Sequence, residues 1–113
     1  MKPEVVDAVR RRDGGCAAPR IDPRAGPCFD EWGRLMARTA WWLCELDHYD
    51  YTGRYDARPL VKAEQVVMVC PGHHRGTGPQ RGRAWATAHR AEIKAYALSA
   101  RVPFREESGG SIT

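Results

Sequence analysis

The stretch Cys70-Pro71-Gly72-His73-His74 constrains this chain more than any other. It closes an uninterrupted apolar run, Val66-Val67-Met68-Val69, of the length and composition expected for a strand buried on both faces. A Cys-x-x-His spacing with Pro-Gly between the donors makes a tight turn that can offer a thiolate and an imidazole to one zinc ion. His74 follows at once, so whatever anchors His73 also fixes where His74 emerges. Upstream, Asp47-His48 ends a second strand-like segment, Cys44-Glu45-Leu46, and adds a carboxylate and an imidazole. In that order the parts point to a metal-dependent nuclease.

At 113 residues the chain is expected to form one small domain over 1–105, followed by a disordered tail at 106–113. A core of that size profits from a metal staple. No stretch approaches the roughly 18 consecutive apolar residues of a membrane span. Met1-Lys2-Pro3-Glu4 lacks an apolar signal core, so the expected compartment is the cytoplasm. There the four cysteines read as metal ligands or free thiols in preference to disulfides.

The net charge of +4 is unevenly spread. Residues 1–29 carry six Lys/Arg against four Asp/Glu, residues 30–70 five against seven, and residues 71–113 seven against three. The acidic middle holds Asp47 and suits a cation, while the basic ends suit a polyanion.

Residues 3–12 read as a helix, with Pro3 in its first turn, Val5, Val6 and Val9 on one face, and Asp13-Gly14-Gly15 as its stop. Three prolines and a glycine make 16–27 a loop. Trp32, Leu35, Met36, Thr39, Trp42 and Leu43 follow three-and-four spacing, predicting a helix over about 30–43 with Asp30 as N-cap. Strands are expected at 44–49 and 66–70, a turn-rich connection over 49–62, an irregular stretch after Gly72, and a last helix at 83–100. Helices and strands together make this an α+β domain.

Zinc takes four tetrahedral ligands. Cys70 and His73 supply two; Cys16 and Cys28 flank the proline-rich loop and can supply the others, with Cys44 as a competing ligand or a buried thiol. Phosphodiester hydrolysis needs an activated water and a divalent ion at the scissile phosphate. His48 suits the general base because imidazole titrates near neutrality. Asp47 and His74 suit the ion.

Four segments carry a family likeness: Arg12-Asp13-Gly14-Gly15-Cys16-Ala17-Ala18-Pro19, Glu45-Leu46-Asp47-His48, Val67-Met68-Val69-Cys70-Pro71-Gly72-His73-His74, and Trp85-Ala86-Thr87-Ala88-His89-Arg90. As an ordered set they resemble the HNH endonucleases of actinobacteriophages over most of residues 5–100. The resemblance implies a zinc-stapled ββα-metal (His-Me finger) core with flanking helices. It further implies His48 as general base, Asp47 and His74 as ligands of Mg²⁺ or another divalent metal, and Cys16, Cys28, Cys70 and His73 as the structural zinc shell. By the same likeness the substrate is DNA, the setting phage DNA processing or packaging in the host cytoplasm, and a phage terminase or other packaging protein a partner. Three positions depart from the family. Gln65 stands where the family has Asn, His73 replaces the second knuckle cysteine, and glycines after His74 interrupt the helix that normally carries the metal-binding histidine.

For DNA, Arg75, Arg81 and Arg83 just past His74, with Arg90 and Lys94 one helical turn apart, are the expected phosphate contacts. His89 reads as a structural or phosphate contact. Trp32, Trp42 and Trp85 are expected in the core, and Trp41 at the surface. The competing functions are an inactive zinc-stapled DNA-binding or packaging-partner module and a disulfide-stabilised interaction protein.

Overall fold

The computed structural model describes residues 3–48, 62–82 and 84–108. Its centre is an antiparallel hairpin of β3 (Glu45–His48) and β4 (Val66–Val69), in the register Glu45↔Val69, Leu46↔Met68, Asp47↔Val67 and His48↔Val66. All four β4 residues are buried, as their uniform apolarity predicts. One face, through Val67 and Val69, packs on Trp85, Ile93, Ala97 and the cysteines Cys16, Cys28 and Cys70. The other, through Val66 and Met68, packs on Val9 of the N-terminal helix α1 (Pro3–Asp13). Strand alternation is what sends neighbouring side chains to these two cores.

The junction after α1 is held by Asp13, which is fully buried. Its carboxylate accepts hydrogen bonds from Met68 N at 2.8 Å, Tyr96 Oη at 2.7 Å and Arg12 Nε at 2.7 Å. Burial, with the Asp13 charge beside it, pushes the Tyr96 hydroxyl well above its ordinary pKa. The chain then passes Gly15 at φ 140°, where an added Cβ would lie 2.0 Å from the Arg38 carbonyl oxygen. Only glycine fits there. Cys16 N donates to that carbonyl at 2.9 Å and Ala17 N to Met68 O at 2.7 Å.

Several expected elements differ. The loop at 16–27 contains a one-turn helix, α2 (Ala18–Ile21), because Pro19 falls in its first turn, where a missing N–H is harmless. The helix expected over 30–43 does not form. In its place stand a short hairpin, β1 (Cys28–Phe29) with β2 (Leu35–Met36), and a 3-10 turn at Trp41–Leu43. Asp30 is no N-cap: its carboxylate accepts from Trp32 N and Arg34 N, both at 2.9 Å, and so closes the hairpin turn. The apparent helical stripe is not a core face. Trp32 is 69% exposed and Trp42 66% exposed, so neither is a core residue, whereas Trp85 is buried as expected. Trp41 lies at the surface.

After Cys70 the chain is not irregular but turns through α3 (Pro71–Arg75), which ends at Gly76 in the left-handed region, φ 85°. Gly72 sits against Phe29, leaving 3.0 Å between a built Cβ and the Phe29 Cβ. That contact docks α3 on the β1 hairpin. The expected last helix is split into α4 (Trp85–Ala88) and α5 (Arg90–Ser108). At the break, His89 N bonds Ala86 O at 3.2 Å, while the His89 ring Nδ1–H takes the Trp85 carbonyl at 2.8 Å. The side chain thus occupies the acceptor a continuing α-helix would have given the backbone. Among the described residues, no helix is long and apolar enough to cross a membrane.

Candidate metal centre and the Asp47–His74 pair

Three segments distant in sequence deliver four donors to one buried point. Cys16 comes from the turn after α1, Cys28 from β1, and Cys70 and His73 from the start of α3. One ligand atom from each lies within 4.8 Å of all the others. Cys16 Sγ is 3.6 Å and Cys70 Sγ 3.0 Å from His73 Nδ1. Donors placed about 2.0–2.3 Å from one tetrahedral zinc stand roughly 3.3–3.8 Å apart, so the cluster needs little adjustment. The donor set, three thiols and one imidazole, is the soft-to-borderline shell that zinc prefers.

The ring orientation fits as well. His73 Nε2 lies 2.8 Å from the carbonyl oxygen of Ala25. A carbonyl only accepts, so Nε2 carries a proton and Nδ1 is the nitrogen turned to the sulfurs. Cys70 caps α3, its Sγ accepting from His73 N at 3.4 Å. Hydrogen bonds from Cys16 and Cys28 outweigh burial and hold the Cys70 thiol far below its usual pKa. Burial pulls His73 down, but its bonds to Cys16 and Cys70 win and lift it to about 10. Zinc binding to such donors releases their protons. The buried Cys16, Cys28, Cys70 and His73 therefore fit a structural zinc site, and the likeness-derived shell is the one that converges.

Cys44 does not join it. This half-buried thiol contacts the Ala40 carbonyl at 3.7 Å, and burial, first, raises it to about 12. All four cysteines are free thiols, so the disulfide expectation finds no bridge.

One residue past the zinc shell, the His74 ring lies between two carboxylates of β3. Its Nδ1 is 2.7 Å from Glu45 Oε1, and its Nε2 is 3.6 Å from Asp47 Oδ1. Asp47 is buried, 3% exposed at its side chain, and its second oxygen accepts from Arg90 Nη1 at 2.6 Å. Burial would raise the Asp47 pKa, yet His74 and Arg90 prevail and hold it low. The Asp47 contact, reinforced by Glu45 against burial, raises His74.

The other expected site residues go elsewhere. His48 follows Asp47 on β3, so alternation and its pairing with Val66 turn it to the face shared with Leu46 and Met68. Its Nε2 is shielded from solvent. Asp47 and His74 are brought together, while the register turns His48 to the opposite face of β3. Gln65 Oε1 accepts from Lys62 N at 2.8 Å, closing the 3-10 turn Ala63–Gln65 ahead of β4. Arg75 is paired with Glu45 at 2.6 Å and with Glu31 at 3.7 Å. Arg81 and Lys94 are exposed, and Arg83 falls outside the described residues. A cleft of about 870 Å³, lined by Arg24, Arg75, Gln80, Thr87 and His89 among others, opens beside the zinc site. His89 stacks on Trp85 at 4.7 Å between ring centres.

Sequence reasoning missed Glu45 as a partner of His74, although Glu45-x-Asp47 has the period of one strand face. It also assigned Arg90 to DNA alone, where the structure pairs it with Asp47. Comparison with family models, curated proteins and solved structures returns no match.

Proposed function

We propose that this chain is a metal-dependent endonuclease of the HNH type that hydrolyses DNA phosphodiester bonds, with phage DNA processing or packaging as its setting. One observation carries the reading: Asp47 Oδ1 and His74 Nε2 face each other at 3.6 Å in a strand–strand–helix unit whose helix begins in the zinc clasp. In this reading β3 and β4 are the two strands of a ββα-metal core and α3 is its helix. Asp47 and His74 hold a divalent cation, which when bound supplies charge neutralisation at the scissile phosphate and the leaving oxygen. His48 is the general base of this reading, which requires its ring, at the end of β3, to swing from the Leu46–Met68 face to the Asp47–His74 side. Arg90 holds Asp47 ionised from behind, and its 44% exposure leaves guanidinium surface for a phosphate. Arg24 and Arg75 line the cleft, and in this reading they hold the phosphate backbone as it leaves the site.

A second reading is favoured by the placement of His48: a zinc-stapled DNA-binding or packaging-partner module without catalysis. Nicking of supercoiled plasmid by the zinc-loaded protein, with Mg²⁺, Mn²⁺ or Ni²⁺ added, separates the two. The nuclease reading expects metal-dependent nicking that falls at least about 100-fold in His48→Ala. Activity surviving that change removes His48 as the base, and no nicking with any of the three metals leaves the binding module.

A further inference from the structure

We propose that Glu45 is the positioning residue of a divalent-cation site formed by Asp47 and His74. The inference rests on the nuclease reading only in taking that pair as the cation site.

Glu45 and Asp47 are two residues apart on β3 and share one face of the hairpin. His74, on α3, bridges them. Its Nδ1 lies 2.7 Å from Glu45 Oε1, and an ionised carboxylate only accepts. A proton therefore sits on Nδ1, and Nε2, facing Asp47 Oδ1, is the nitrogen at which a cation would replace a second proton. The 3.6 Å between them is too long for a good hydrogen bond. It is close to the roughly 3.0–3.5 Å separating two ligands that each bind one cation at about 2.1 Å. Without the Glu45 acceptor the ring can place its single proton on Nε2 and donate to Asp47, which closes the site.

Glu45 is itself secured. Arg75 Nη2 holds its Oε2 at 2.6 Å and Arg75 Nε its Oε1 at 3.1 Å. Two consecutive residues of α3, His74 and Arg75, are thus pinned to one strand carboxylate. On the far side Arg90 fixes Asp47 Oδ2 at 2.6 Å, so the two inward ligand atoms are each braced by a charged group behind them. Metal-bound histidines commonly have their second nitrogen held by a carboxylate in this way. One imidazole with one carboxylate oxygen favours borderline divalent ions such as Mn²⁺ or Ni²⁺ over Mg²⁺.

The test uses the full chain, loaded with one zinc, and Mn²⁺ as the probe, with free Mn²⁺ read by electron paramagnetic resonance. Wild type is expected to bind Mn²⁺ and His74→Ala to lose it. Glu45→Ala is expected to weaken binding about 10- to 100-fold with zinc retained, and Glu45→Gln, whose amide oxygen still accepts from Nδ1–H, to recover most of the loss. ¹⁵N NMR of His74 in the wild type, recorded at a pH where the ring is neutral, should show the Nδ1-protonated tautomer. Mn²⁺ binding that is absent in wild type, or unchanged in Glu45→Ala, overturns the proposal. Should Glu45→Ala fail to fold, the wild-type tautomer decides: a proton on Nε2 overturns it. Glu45-dependent Mn²⁺ binding in a chain that nicks no DNA supports the positioning role and removes the nuclease reading.

Discussion

The Nε2–H of His73 donates to the carbonyl oxygen of Ala25 at 2.8 Å, and this hydrogen bond decides which ring nitrogen faces Cys16, Cys28 and Cys70. Ala25 lies in the proline-rich stretch between Cys16 and Cys28. The loop that carries two sulfurs into the cluster therefore also sets the tautomer of the fourth ligand.

The purified chain is expected to hold one zinc. Cys28→Ala and Cys70→Ala should lose it and unfold, because structural zinc contributes about 10–16 kcal/mol, comparable to the whole stability of a small domain. Cys44→Ala should retain the metal, since Cys44 lies outside the cluster. Native mass spectrometry with circular dichroism reads both. Zinc lost from Cys44→Ala alone would reassign the shell.

Gly15→Ala should destabilise the fold by roughly 2 kcal/mol or more, since it combines a disfavoured φ with a backbone clash. The built Cβ meets Arg38 O at 2.0 Å, and Cys16 is the next residue, so zinc affinity should fall in step. Urea unfolding of the zinc-loaded variant checks this; unchanged stability would mean that the junction bends freely.

Arg90→Ala tests the charge behind Asp47. Burial works to raise the Asp47 pKa, but His74 and Arg90 hold it below the ordinary value. A carboxylate with a depressed folded pKa adds stability above its unfolded value, about 3.9, and that contribution disappears as pH falls through the folded value. Removing Arg90 should lower stability near neutral pH by roughly 1–2 kcal/mol, less than for a fully buried pair because its side chain is 44% exposed. The acid transition should begin at higher pH in the variant, and the deficit should shrink once Asp47 is protonated in both. Denaturant unfolding across a pH series measures it; a deficit that stays constant into strong acid contradicts the assignment.

The tryptophans should divide sharply. Trp32→Ser and Trp42→Ser should each change stability by less than about 0.5 kcal/mol, as their rings are 69% and 66% exposed. Trp85→Ala should cost about 3–5 kcal/mol, because that ring is 6% exposed and packs edge-on to His73. Thermal melts of the three variants decide the matter.

Local chemistry by itself determined α1, through Val5, Val9 and the Asp13-Gly14-Gly15 stop, and β4, through four consecutive apolar residues. It also marked Cys70 and His73 as a donor pair, since two ligands three residues apart need no distant information. Tertiary structure alone decided how Cys28 arrives, because Asp30 turning back on Trp32 and Arg34 defeats a helical stripe that spacing favours over 30–43. It alone chose Cys16 and Cys28 over Cys44. It alone set His74 against Glu45, 29 residues away, and Arg90 against Asp47, 43 residues away. The physical reason is the same throughout: periodicity and turn chemistry act over a few residues, whereas a tautomer, a metal shell and a buried ion pair are chosen by whichever distant groups the packed core brings within about 3 Å.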